Sequence, residues 1–166
     1  MKTFEFRLIF SLPDKTPAAD TFLDALYEAG CDDALVGIGE AGSIALDFSR
    51  ESNSAREALN SAIKNVKTAI PDAELIEASP DLVSLSDMAK YMGFSRQNMR
   101  KYYIGKTAFP KPSHVGPTNL WHLYDVVEYL HGQKKLAIPE ALIEISAEAF
   151  KCNLQNQTTR YKSLLT

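Results

Sequence analysis

A glycine between two short helical patterns constrains this chain more than any other feature. Residues 85–103 read LSDMAKYMGFSRQNMRKYY, and the first half has an apolar face at helical spacing with Ser86 as its expected N-cap. Gly93 stands where a helix ends in a left-handed residue, a conformation that glycine adopts without steric cost. Ser95 is the expected cap of a second helix whose inward face includes Met99. The pattern predicts a helix-turn-helix.

The second predicted helix directs polar side chains outward. They are Arg96, Gln97, Arg100 and Lys101, with Asn98 towards the edge. Arginine recognises guanine, glutamine and asparagine recognise adenine, and lysine neutralises phosphate, so such a helix suits a DNA major groove. We expect Arg100 to contact a base edge, Lys101 to contact phosphate, and Ser95 both to cap the helix and to contact phosphate. The alternative is an ordinary solvated helix face.

The residues that follow the second helix appear in a characteristic order. Phe109-Pro110-Lys111-Pro112 comes first, a short segment through Gly116 follows, and Trp121 precedes a helical run containing Asp125-Val126. This order resembles the excisionase/AlpA-type branch of the MerR-like winged-helix proteins, which carry a helix-turn-helix, an FPxP segment, a hairpin wing, a tryptophan and a closing helix. The resemblance covers roughly residues 82–131. It implies a winged helix-turn-helix that binds double-stranded DNA.

The predicted wing departs from that family at one position. The family usually has Gly-Arg-x-x-x-Trp, whereas this chain has Gly-Pro-Thr-Asn-Leu-Trp over residues 116–121, so the wing arginine is missing. Lys106, Lys111 and His114 are the nearby side chains that would replace it in contacting DNA. We expect Trp121 itself to be a core residue that holds the wing to the closing helix.

Charge is distributed unevenly along a chain whose net charge is −3. Residues 1–79 contain 7 basic and 14 acidic side chains, a balance of −7, whereas residues 80–135 contain 8 basic and 4 acidic, a balance of +4. Because salt screens charges beyond about 8 Å, bound DNA responds to the local balance more than to the total. Positive charge thus collects at the predicted helix-turn-helix, and its modest size predicts weak non-specific binding and a need for dimerisation.

Residues 1–79 follow a βαββαβ pattern. Alternating apolar residues predict strands at 4–10, 34–39, 44–48 and 73–78, and helices are expected to begin near Thr16 and near Asn53 or Ser54. This order predicts a ferredoxin-like sandwich, with helices on one face of an antiparallel sheet. The other face is predicted to hold Glu5, Arg7, Ile9, Ala45 and Asp47. Three alternatives are open for this face: it binds a small-molecule effector, it pairs with a second copy of the chain, or it is exposed to solvent.

Ser79-Pro80-Asp81 is the predicted joint to a winged domain at 80–132, and residues 133–166 form a third segment. A helix opening at Pro139 has apolar residues at the a/d spacing of a short coiled coil, namely Ile138, Leu142, Ile145, Ala149 and Cys152. MerR-type proteins place a dimerising helix here, so we expect a homodimer. The alternative is a helix packed on its own subunit. Residues 153–159 are polar and expected to fray, whereas Tyr161, Leu164 and Leu165 form an apolar end suited to a partner surface.

Other classes of protein find little support in the sequence. Asp32 and Asp33 with Glu40 have no neighbouring histidine or glycine-rich phosphate loop, so we expect no enzyme, metal or cofactor. Cys31 and Cys152 lack CxxC spacing and indicate a reducing, cytoplasmic setting. No segment resembles a signal peptide or a membrane span.

The sequence therefore predicts an α+β protein with a ferredoxin-like domain, a winged helix-turn-helix and a C-terminal helix. Its expected function is that of a dimeric, sequence-specific DNA-binding transcriptional regulator. The alternative function is an antitoxin or defence-system adaptor, which binds a protein partner and regulates its own expression through the same helix-turn-helix.

Overall fold

A computed structural model describes residues 1–13, 19–38, 40–105 and 108–166. Over these ranges the fold is mixed α+β, with a four-stranded antiparallel sheet, a separate two-stranded sheet and six α-helices. The strands are β1 (Lys2–Ser11), β2 (Ala34–Ile38), β3 (Ser43–Ser52), β4 (Glu74–Ser79), β5 (Leu82–Val83) and β6 (Trp121–His122). The helices are α1 (Leu23–Glu28), α2 (Ala55–Ala69), α3 (Leu85–Met92), α4 (Arg96–Tyr103), α5 (Leu123–Glu128) and α6 (Glu140–Arg160). None of the helices in the described ranges is long and apolar enough to cross a membrane.

The larger sheet has the strand order β2-β3-β1-β4, and all its neighbouring strands are antiparallel. Strict alternation along β1 buries every second side chain, among them Phe4, Leu8 and Phe10, on the face covered by α2. The opposite face carries Arg7 beside Asp47, and two hydrogen bonds of 2.6 and 2.9 Å join them. The strands and α2 lie where the sequence predicts them, whereas the predicted helix start at Thr16 lies outside the described residues.

Strand β3 continues past the predicted end at residue 48, where it pairs with the start of β1, and it carries a buried arginine, Arg50, in this extension. The Arg50 guanidinium donates hydrogen bonds of 2.8 and 2.9 Å to both carboxylate oxygens of Asp33. It also donates to the side chains of Ser61 and Asn65 and to the carbonyl of Gly30. A buried arginine with its donors satisfied in this way fits the inward-facing position of a strand. Sequence alternation alone did not indicate it.

A second hydrophobic core lies under α3, α4 and α5. Trp121, Met88, Met99, Leu123 and Leu130 are almost completely buried in it. Strand β5 pairs with β6, which brings the end of the wing segment beside the start of α3. A π-helical turn at Tyr129–Gln133 follows α5, so the closing helical run extends beyond the predicted end at Leu130.

Helix α6 packs on its own chain, which is the alternative that the sequence left open. Two residues of the expected coiled-coil seam, Ile145 and Ala149, are buried against the large sheet, and Ile138 is buried in the second core. At the start of the helix, Lys2 of β1 forms ion pairs with Glu140 and Glu144. The prediction of a coiled coil through this seam is therefore wrong, because the protomer itself covers these side chains.

The polar second half of α6 is helical to Arg160 and does not fray. Asn153 is buried and bonds both the N–H and the C=O of Ala78 in β4, at 2.8 Å each. Asn156 and Arg160 both donate to the carbonyl of Leu75, also in β4. The polar residues of α6 thus satisfy the outer backbone groups of an edge strand, a role that hydrophobic periodicity does not detect.

Candidate nucleic-acid interface

Gly93 forms the corner between α3 and α4. It has φ 69° and ψ 24°, the left-handed conformation that ends a helix. The N–H of Phe94 donates to the carbonyl of Ala89 at 2.8 Å, which closes the turn. A Cβ at Gly93 would meet nothing within 4 Å, so backbone conformation, and not space, is what favours glycine. The predicted left-handed glycine is confirmed.

Serine residues cap both helices, but the serine that caps α3 is not the predicted one. Ser84, and not Ser86, caps α3: its hydroxyl accepts from the N–H of Asp87 at 3.2 Å, and the Asp87 carboxylate accepts from the N–H of Ser84 at 3.1 Å. This reciprocal capping box starts the helix two residues earlier than predicted. Ser95 caps α4 as predicted, and its hydroxyl accepts from the N–H of Asn98 at 3.0 Å.

The inward face of α4 packs on a cluster of aromatic rings. Met99 is fully buried, and Tyr103 meets Phe109 and Trp121 edge-to-face, with ring centroids 5.5 Å apart in both pairs. The indole N–H of Trp121 donates to the carbonyl of Pro110 at 2.8 Å. Trp121 is therefore the core residue that the sequence predicts, and the cluster fixes α4 to the FPxP segment and to the wing.

The outward face of α4 is polar and accessible. Ser95, Arg96, Gln97, Arg100 and Lys101 are exposed, and Asn98 is half-buried at the edge. Within the described ranges, the side chains of Arg96, Arg100 and Lys101 form no ion pair and no hydrogen bond. These cations consequently face solvent without a protein counter-charge close by, and their chemistry suits anionic phosphate and the acceptor edge of guanine.

A short hairpin lies beside this face at the position of the predicted wing. His114 bridges Leu120 in antiparallel fashion, through backbone hydrogen bonds of 3.1 and 2.9 Å. A Cβ at Gly116 would lie only 2.9 Å from Nε2 of His114, so a side chain there would displace the imidazole ring. Lys111 and His114 are exposed, whereas the third predicted wing contact, Lys106, lies outside the described residues.

A groove of about 530 Å³ separates the start of α3 from the wing. Ser86 and Arg96 line one side of it, and Thr118 and Asn119 of the hairpin line the other. Hydroxyl, guanidinium and amide groups are the donors that usually bond phosphate oxygens. Ser86, which does not cap α3, and Thr118 thus become candidate phosphate contacts that the sequence analysis missed. Only their spatial convergence indicates this role.

A buried polar network joins the segment around β5 and β6 to α6 and the large sheet. Asp81 is 4% exposed, and one of its carboxylate oxygens lies 2.6 Å from Nδ1 of His122 while the other accepts from Asn153 at 2.8 Å. The His122 ring stacks on Phe150 of α6 with centroids 3.7 Å apart. Specific hydrogen bonds thereby link Asp81, His122 at the start of α5 and Asn153 of α6.

Of the acidic residues near β2, Asp33 has a structural role. Asp33 is the bonding partner of Arg50, and the described ranges contain no group of three or more histidine, cysteine or acidic side chains arranged for a metal.

No protein-family model, curated protein or solved structure matches this chain. The resemblance to the excisionase/AlpA-type proteins therefore depends on the order of sequence features alone.

Proposed function

We propose that this chain is a sequence-specific, double-stranded DNA-binding transcriptional regulator of the cytoplasm. In this proposal residues 1–79 form a ferredoxin-like domain and residues 80–132 form a winged helix-turn-helix of the excisionase/AlpA type. The observation that carries the proposal is the outward face of α4, where Arg96, Arg100 and Lys101 are exposed and lack ionic partners among the described residues.

The dimensions of α4 suit a major groove. An α-helix with its side chains is about 10–12 Å across, and the major groove of B-DNA is about 12 Å wide, so a short helix such as α4, with 8 residues, can lie within it. The aromatic cluster behind Met99 fixes the backbone of α4, so the ordering cost of binding falls on the exposed side chains and not on the helix itself. Arg100 is assigned to a base edge and Lys101 to phosphate, as in the sequence analysis. Arg96 lines the groove next to the wing and is well placed for phosphate as well.

The strand order β2-β3-β1-β4 supports the ferredoxin-like assignment, because that order and the antiparallel pairing follow from two interleaved βαβ units. The capped corner at Gly93, the hairpin and the closing α5 support the winged helix-turn-helix. Two such protomers related by a twofold axis would contact half-sites about one helical turn apart, or a multiple of it.

Selection of bound fragments from random or genomic DNA tests the proposal. The wild-type chain is expected to enrich a near-palindromic sequence, and the Arg100→Ala variant is expected to lose the preference at one base position in each half-site while it retains non-specific binding. Failure of the wild-type chain to enrich any sequence, together with an affinity that does not respond to salt, would contradict DNA recognition.

A second function has one specific observation in its favour. The C-terminal apolar residues Tyr161, Leu164 and Leu165 are 51, 79 and 71% exposed, as a surface for a protein partner would be. This supports the antitoxin or adaptor alternative, in which DNA binding regulates the chain's own expression. A stoichiometric protein that co-purifies with the wild-type chain, without DNA, and is lost from a Leu164→Lys, Leu165→Lys variant would favour it.

A further inference from the structure

Strand β2 forms one edge of the large sheet and carries no charged side chain. It reads Ala-Leu-Val-Gly-Ile, and Leu35 at its second position is 77% exposed. The hydrogen bond from the N–H of Ser49 to the carbonyl of Asp33 sets the alternation of this ladder, so Leu35 and Gly37 bond β3 while the backbone groups of Ala34, Val36 and Ile38 point away from it. Of these outward groups, the N–H of Ala34 donates to the carbonyl of Cys31 at 3.2 Å. Exposed edges usually carry charges, prolines or bulges that prevent pairing with other chains.

The opposite edge of the same sheet is covered. Asn153, Asn156 and Arg160 of α6 bond the outer backbone groups of Ala78 and Leu75 in β4. A second chain therefore cannot extend the sheet at β4 without removing these side chains. Among the described residues, β2 is the edge of this sheet that remains open.

We propose that β2 pairs with β2 of a second copy of this chain, antiparallel and about a twofold axis at Val36. In this register Val36 faces the partner's Val36 and Ala34 faces the partner's Ile38. Both backbone groups of Val36 and the carbonyl of Ala34 thereby obtain a bond, whereas the N–H of Ala34 keeps its bond to the carbonyl of Cys31. Leu35 then lies opposite the partner's Gly37, which has no side chain to obstruct it. Glycine within a strand often marks such a close approach.

The geometry favours a second copy over other strand donors because β2 is complementary to itself in this register. Pairing also stops at two chains: the interface uses the same edge on both protomers, and the β4 edges are closed by α6. Two four-stranded sheets thus become one continuous sheet of twice the size. The inference goes beyond DNA binding, although it supplies the twofold axis that a near-palindromic site requires.

Electrostatics give this dimer a salt dependence opposite to that of DNA binding. Residues 1–79 carry a balance of −7, so pairing two of these segments brings like charges together, and added salt strengthens the dimer by screening them. Added salt weakens binding to DNA, because counterions compete for the phosphates. The two proposals can therefore fail independently.

Analytical ultracentrifugation of the full-length chain without DNA tests the interface. Because the paired edge is only 5 residues long, the measurement has to span a wide range of protein concentration. The wild-type chain is expected to dimerise reversibly and more tightly at higher salt. Leu35→Lys is expected to weaken dimerisation on the order of a hundredfold, since each dimer loses the burial of two leucines. The matched control is Leu154→Lys on α6, where the leucine is 59% exposed and outside the interface.

Val36→Pro is a second variant, which tests the backbone pairing without introducing a charged side chain. Proline removes an N–H that points away from β3, so the protomer keeps its own ladder while the intermolecular bond is lost. Dimerisation is expected to be lost with the circular dichroism spectrum retained. A monomeric wild-type chain at all concentrations, or dimers of both variants as tight as wild type, would overturn the proposal. A dimer broken only by Leu164→Lys would overturn it as well.

Discussion

Replacing Asn153 with alanine removes three buried hydrogen bonds at the point where α6, β4 and the helix-turn-helix meet. The amide donates to the carbonyl of Ala78 and to the carboxylate of Asp81, and it accepts from the N–H of Ala78, each at 2.8 Å. Alanine leaves these groups without a partner in surroundings where Asp81 is 4% and Asn153 is 6% exposed.

The expected loss follows from the groups that become unsatisfied. A buried donor or acceptor without a partner costs about 1–3 kcal/mol, and water that enters the space of the missing amide reduces the total. We therefore expect the free energy of unfolding to fall by about 3 kcal/mol. At a denaturant slope of about 2 kcal/mol per molar urea, the midpoint would shift by about 1.5 M.

Urea titration followed by circular dichroism measures this shift, and Asn156→Ala is the matched control. Asn156 bonds the carbonyl of Leu75, which Arg160 also bonds at 2.8 Å, so the carbonyl keeps a partner in the control. The control is expected to lose less than about 1 kcal/mol. Equal effects of the two substitutions would refute the reasoning that the Asn153 network joins the two parts of the chain.

Three further predictions concern ionisable and aromatic groups. Burial raises the pKa of Glu77, so Glu77→Gln should stabilise the chain near neutral pH. In urea titrations this gain should shrink on acidification and vanish well below pH 4.5, where the carboxyl is protonated in both states; a gain that grows on acidification would contradict this. Burial raises the pKa of Cys31 to about 11, so the Cys31 thiol should react with a disulfide reagent only upon unfolding. A Cys152→Ser variant, in which Cys31 is the remaining cysteine, allows this reaction to be measured, and rapid reaction of the native chain would contradict the prediction. Trp121→Phe removes the hydrogen bond from the indole N–H to the carbonyl of Pro110, so the free energy of unfolding should fall by about 1 kcal/mol. Thermal melts measure this loss, and an unchanged melting temperature would contradict it.

Local signals in the sequence predicted several features of α3, α4 and the corner between them. Gly93 ends α3 in a left-handed conformation, Ser95 caps α4, and Met99 and Trp121 are buried. These features depend on residues close together in sequence, where backbone conformation and helical spacing decide the outcome. Ser86 was a wrong choice of cap because two serines compete there, and the capping box with Asp87 favours Ser84.

Long-range packing was predicted less well. The seam of α6 has the spacing of a coiled coil, but the same spacing also suits a helix packed on a sheet, and Ile145 and Ala149 are buried in that second way. The bonds of Asn153 to β4 and of Arg50 to Asp33 involve partners far apart in sequence. Hydrophobic periodicity marks apolar faces only, so buried polar residues of this kind go undetected.

The proposed DNA binding depends most on the outward face of α4. The affinities of matched variants for a selected duplex test the role of this face most directly. Fluorescence anisotropy would compare the wild-type chain with Arg100→Ala and with Arg56→Ala, an exposed arginine on α2 that loses the same charge. Loss of a bidentate guanine contact costs about 1–3 kcal/mol, so Arg100→Ala should weaken binding by roughly 5- to 150-fold. Arg56→Ala should remain within about twofold of wild type. Equal affinities of the wild-type and Arg100→Ala chains for the selected duplex would contradict the account.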